Sequence, residues 1–321
     1  MEMTLDAYRL SGRVRRSEWL GTILMLLGTL LFSASVCAAT TAQKTFASPE
    51  DAAAALLQAV KAHDRAGLLG VLGQSSEPWI TSGDKTADRA VGERFVAAYE
   101  TKHGITIEGD KATLVIGDND YPFAFPIVKS GDRWRFDAEA GREEMLARRI
   151  GENELDVIKV MEAIVDAERE YASVDRNGDG VLDYAQKLAS TPGKKDGLYW
   201  KTEAGAPPSP LGPLVVNATG QGYKKSDKGP TPFHGYYFRM LKGQGKNAAS
   251  GAFDYVVRGH GIAGFAAVAW PAKYGNSGIM TFIVNQDGKV YEADLGPNTQ
   301  AKASAMQRFD PGKEWSPVTS K

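Results

Sequence analysis

One cysteine, Cys37, and four scattered histidines are all that the 321 residues offer of the usual metal-binding and thiol chemistry. A lone cysteine closes no intramolecular disulfide and supplies no zinc thiolate set. The histidines show no paired metal-binding spacing: His63 and His103 fall in the first half of the chain, His234 and His260 in the second. A His260–Asp254 pair or a His234–aspartate pair is open in space, but spacing fixes neither. There is no nucleophile elbow and no phosphate loop. Ser277, in Gly275-Asn276-Ser277-Gly278, lacks the elbow's spacing. The Gly-x-Gly pairs at 243–245 and 259–261, the second followed by Gly264, lack the strand-to-helix context of a dinucleotide site, so they read as turns. An excess of one charge is also missing. A formal net charge of −1 carries no electrostatic footprint of a nucleic-acid partner. These absences leave no reaction to assign and weigh against an enzyme.

What is present begins with a targeting signal, expected over 1–42. Arg13, Arg15 and Arg16 precede an apolar core at 20–34, and Ala38, Ala39 and Ala42 are small enough for cleavage sites. The run 19–43 is uncharged, so it is long enough to act as a membrane anchor if retained. Glu18 stands where a twin-arginine signal carries an apolar residue, which favours the general secretory route. Val36 is large for the position before a lipidated cysteine, so Cys37 makes a poor lipoprotein box.

The chain is organised around residues 153–192. Asn153 is placed to cap a helix, and Val157, Met161, Ile164 and Tyr171 follow at helical spacing. An acidic loop comes next, then an expected short helix. Calcium loops of the EF-hand type present oxygens at positions 1, 3, 5, 7, 9 and 12, with glycine at 6. Those positions fall here on Asp175, Asn177, Asp179, the Val181 carbonyl, Asp183 and Gln186, with Gly180 at the turn. Gln186 replaces the usual bidentate glutamate and removes a negative charge, so a weak, structural calcium site is expected. The same residues suit a metal-free Asx turn.

Before this stretch, residues 45–150 form one α+β unit. Ser48-Pro49-Glu50-Asp51 starts a helix, a shorter helix surrounds 68–72, and a third covers 90–103. Strand-like pieces follow at 112–116, 123–128 and 133–136, the last two joined by a Gly131-Asp132 turn. Met145, Leu146, Arg149 and Ile150 suggest a further helix that ends at Gly151. Residues 151–321 form the second unit. A stiff Pro-rich connector at 207–213 precedes strand candidates at 236–241, 253–257, 262–270 and 279–285, a turn at 286–289, and a last helix over 299–309.

The helices-then-sheet order of the first unit resembles the NTF2-like superfamily, which implies a curled sheet around a pocket. The second unit, with its long helix ending in Glu168-Arg169-Glu170-Tyr171-Ala172 and its strand–turn–strand at 278–291, resembles pilin and pseudopilin globular domains. Here the apolar anchor is separated from that helix by a whole domain, which argues against filament assembly. The blocks Gly197-Leu198-Tyr199-Trp200, 208–213, 235–239 and 281–288, with the central stretch, closely resemble a bacterial envelope family known as domain of unknown function 2950. That resemblance implies a periplasmic or secreted protein and supplies no catalytic residues.

The expectation is therefore an α+β protein, an NTF2-like cone followed by a pilin-like domain. Its expected role is exported, non-catalytic binding or scaffolding in the cell envelope, with a small apolar ligand or an envelope protein as partner. The alternatives are an accessory to a pilus or secretion machine, or an envelope enzyme using the cone's pocket.

Overall fold

The computed structural model describes residues 42–203, 205–224 and 230–319; the expected targeting segment and Cys37 lie outside them. Among the described residues, no helix is long and apolar enough to cross a membrane.

Helix α1 (Pro49–Lys61) begins where the sequence places it: the Ser48 side chain accepts the Asp51 amide at 3.1 Å and proline occupies the first turn. Helix α2 (Arg65–Leu72) and α3 (Lys85–Thr101) follow, capped by Asp64 and Asp84. An antiparallel sheet is built from β1 (His103–Glu108), β2 (Lys111–Ile116), β3 (Tyr121–Pro122), β4 (Ile127–Ser130) and β5 (Arg133–Phe136). Its order is β1-β2-β4-β5, with β3 also on β2.

The long helix α4 (Ala138–Tyr171) runs through Gly151 without a break. This corrects the expected helix pair, in which one helix ended at Gly151 and the next was capped by Asn153. Glycine inside a helix costs only about 1 kcal/mol, and packing at both ends outweighs it. Met145 and Leu146 join the first core, with Leu56, Ile127 and Phe136. Val157, Met161, Ile164 and Val165 join the second. Asn153 is buried mid-helix, and its amide donates to the Ser277 carbonyl at 2.8 Å. At the other end, a Cβ on Gly141 would overlap the Ala124 carbonyl and Phe125, so glycine is what lets the first turns approach the segment between β3 and β4 so closely.

No regular element follows the acidic loop, so the expected short helix is absent. Instead the Tyr184 amide donates to Gly261 at 2.8 Å and the Leu198 amide to Lys187 at 3.0 Å. The Pro-rich connector is also shorter than expected, since α5 (Gly212–Gly220) begins within it. The second half then contains β6 (Tyr236–Leu241), β7 (Gly243–Gln244), β8 (Phe253–Asp254), β9 (Ala266–Pro271), β10 (Met280–Asn285), β11 (Tyr291–Asp294), α6 (Thr299–Ala305), β12 (Arg308–Phe309) and β13 (Ser316–Pro317).

The main sheet there runs β13-β11-β10-β9-β6, all antiparallel. Every residue of β9 is buried, because both faces of the sheet are covered. Ala267, Ala269, Phe282 and Val284 face the α4 core, while Ala266, Val268 and Ile283 face a second layer with Ala303, Phe309 and Trp315. Alternation along the strands divides the two layers. Helices with antiparallel sheets give an α+β class, as expected from the sequence.

Candidate functional site

Helix α3 is unusual for its burial. Of its 17 residues, only Tyr99 is buried. The helix spans a chamber instead of filling a core. One lobe, of about 550 Å³, is lined by Ala87, Ala90 and Arg94; another, of about 520 Å³, by Lys85, Arg89 and Gly92. These triplets lie on two faces of the helix. Asp88, Val91 and Phe95, Phe123 and Phe125, and Met145 and Arg149 line both lobes.

The apolar wall is aromatic. Phe123 lies 5.3 Å from both Phe95 and Phe125 by ring centroid, and Trp79 lies 5.7 Å from Phe125. The polar wall comes from α4 and from the segment before β6. The half-buried Arg149 donates through one nitrogen, Nη1, to the Trp79 carbonyl at 2.9 Å and to Asn276 Oδ1 at 2.6 Å. Burial lowers its pKa, and the field of Asp88 opposes that shift. His234 Nδ1 lies 3.2 Å from Asp156 Oδ2, in a backbone turn where His234 has φ +49°. Burial holds this imidazole below its usual pKa, with Asp156 and Asp84 pulling the other way.

Beside the chamber, Asp84 ties the start of α3 to the residues before β6. Its Oδ1 accepts the Thr86 and Ala87 amides, both at 3.0 Å, which caps α3. Its Oδ2 accepts the Tyr223 hydroxyl at 2.9 Å and the Gly235 amide at 3.1 Å. Burial, then the charge of Asp84, pushes the Tyr223 hydroxyl well above its ordinary pKa. The NTF2-like resemblance implies a pocket in the first unit, but no lining residue is legible in the sequence, because the walls come from α3, residues 123–125, α4 and residues 223–234.

The acidic loop is closed by its own backbone. Asp175 accepts the amides of Asn177 at 3.2 Å, Gly178 at 2.7 Å and Gly180 at 2.8 Å, and the Gly180 bond leads in holding its carboxyl below the usual range. Asn177 Oδ1 accepts the Asp179 amide, and Asp179 Oδ1 accepts that of Val181, at 3.1 and 2.9 Å. Gln186 stands apart, its amide donating to the Gly259 carbonyl at 3.1 Å. Asp183 Oδ2 lies 3.0 Å from His260 Nδ1; Asp254 pairs with Arg308 instead. Asp179, Asp183 and His260 offer ligand atoms within 4.8 Å of one another. The two carboxylates suit calcium's demand for oxygen, whereas the imidazole does not. Ser277 is buried, and its hydroxyl accepts the Lys273 amide at 2.9 Å, which is a turn-closing role.

The fold and its sites define an α+β protein with a ligand-sized chamber and a self-closed acidic loop. The family described as protein of unknown function (DUF2950) matches residues 43–318, and the chain belongs to that family. No curated protein and no solved structure matches it.

Proposed function

We propose that this protein is an exported, non-catalytic binding protein of the bacterial cell envelope, and that it holds a small, mainly apolar ligand beneath α3. The observation that carries this reading is the two-lobed chamber, whose shared wall is made of Phe95, Phe123, Phe125 and Met145. Pockets of several hundred Å³ with an apolar lining and a few polar groups are the usual form of small-ligand sites. Export is supported by the arginines at 13–16 and the apolar run 20–34. The succession of helices and antiparallel sheet in the first half supports reading it as an NTF2-like cone. The acidic loop enters this reading only as a weak structural calcium site, supported by Asp179 and Asp183.

The neutral dye Nile red tests the reading. Its fluorescence rises on titration with the full mature chain and falls back with Ala90→Trp, which fills one lobe. No rise with the wild type ends this reading. A second reading, an envelope enzyme, is favoured by one observation, the His234–Asp156 pair at the chamber wall.

A further inference from the structure

We propose that the chamber selects an amphipathic monocarboxylate and that Arg149 receives the carboxylate; this rests on the binding reading above. The charged groups at the wall differ in how they are matched. Arg94 pairs with Glu152 at 3.0 Å and Arg148 with Glu144 at 2.6 Å. Asp156 is matched by Lys159 at 2.9 Å and by His234 at 3.2 Å. Lys85 and Arg89 also form no ion pair among the described residues, but both are exposed; of the cations withdrawn from solvent at the wall, Arg149 is the exception. It forms no ion pair among the described residues, and its two bonds, both through Nη1, go to neutral oxygens of Trp79 and Asn276. Asp88 acts on it only through space, because the Asp88 carboxylate is taken by the Ser82 amide at 3.0 and 3.2 Å.

A guanidinium withdrawn from water without a carboxylate partner is costly, and the cost falls when an anion docks. A guanidinium presents a planar fork that fits a carboxylate, and Nη2 and Nε of Arg149 remain for one. Arg149 also lines both lobes, so an anion held there leaves an apolar body free to lie along Phe95, Phe123 and Phe125. A cationic amphiphile meets the opposite situation: Glu152 and Asp156 already have cation partners, the Asp88 carboxylate is held by the Ser82 amide, and Arg149 repels it. The ligand class is thus a carboxylate with an aliphatic or aromatic body, of whatever source.

Competition against Nile red on the full mature chain tests this at neutral pH with three probes of equal chain length: decanoate, decanol and decyltrimethylammonium. Decanoate is expected to displace the dye at a concentration at least tenfold below that of either other probe. In Arg149→Met the ratio of decanoate to decanol displacement, both measured on that variant, is expected to fall to about one, while Arg149→Lys, which keeps the cation and loses the fork, retains part of the advantage. Far-ultraviolet circular dichroism reports whether each variant is folded, and the wild-type comparison stands without them. Equal displacement by decanol, or stronger displacement by the ammonium probe, overturns the carboxylate assignment while leaving the binding reading intact. If the dye does not bind the wild type at all, both fall.

Discussion

Tyr236 lays its ring and hydroxyl against Gly278, so closely that a Cβ there would overlap the phenol. The ring has no room to withdraw. Its hydroxyl lies 3.0 Å from the Met280 carbonyl and 3.3 Å from Glu154 Oε1, and the residue is fully buried. Glu154 is itself held by the Ile279 and Met280 amides at 2.8 and 2.9 Å. Gly278→Ala is therefore expected to destabilise the protein by about 2–3 kcal/mol, in the range for overpacked cores. Urea unfolding measures it, and an unchanged midpoint would show that this contact is looser than described.

Asp84 joins the cap of α3 to the second half of the chain through four accepted bonds. Removing the carboxylate orphans buried donors at both ends. Asp84→Ala is expected to cost on the order of 3 kcal/mol, from the lost cap and the unsatisfied amide and hydroxyl. Tyr223→Phe leaves the cap but removes both the donor to Asp84 and the acceptor of the His234 amide, so about 1–2 kcal/mol is expected. Hydrogen exchange separates the two variants: the amides of Thr86 and Ala87 lose protection in Asp84→Ala and keep it in Tyr223→Phe.

Local signals were legible in the sequence where local chemistry decides the structure. Ser48 and Pro49 start α1, and the Gly131-Asp132 turn joins β4 to β5, as the residue types require. The family was legible too, from blocks spread over most of the chain. What was not legible depended on distant partners. Tyr184 and Leu198 bond to Gly261 and Lys187, and these bonds take the place of the short helix expected after the acidic loop. The chamber had no local mark, because an unfilled space is a property of the elements that meet around it. Gly151 was misread for the same reason: its surroundings, and not its own propensity, keep α4 helical.

Gly151 lies mid-helix with no heavy atom within 4 Å of an added Cβ. The substitution Gly151→Ala then removes backbone entropy from the unfolded chain without a clash. Stabilisation of roughly 0.5–1 kcal/mol is expected in urea unfolding. Destabilisation instead would mean that the chain bends at this residue and that α4 is two helices.

Millimolar calcium is expected to raise the melting temperature slightly, and equal magnesium is not. At a few-fold excess over Kd the linkage free energy is only about 1 kcal/mol. Asp179→Ala removes the one side chain that both closes the loop and joins the group with Asp183 and His260. An identical calcium response in wild type and variant would reduce the loop to an Asx turn.

Glu168 gives the pH dependence a sign. Its side chain is fully buried on α4; Oε2 accepts the Ala185 amide at 2.8 Å, and Oε1 has no partner. Burial raises its pKa well above 4.5, and the Ala185 bond only partly opposes this. In the unfolded chain the carboxyl loses its proton near the ordinary glutamate value, while in the folded protein it keeps it to higher pH. Between those two values the folded state binds more protons, so stability falls as pH rises. The contribution is complete below the unfolded pKa and is lost as pH climbs through the folded one. Glu168→Gln keeps an acceptor for the Ala185 amide and is neutral at every pH. Its melting temperature is therefore expected to stay flat across the window in which the wild type declines, and to exceed the wild type at its upper end. Parallel pH profiles for the two proteins would mean that Glu168 titrates in the fold as it does in the unfolded chain, and that water reaches Oε1.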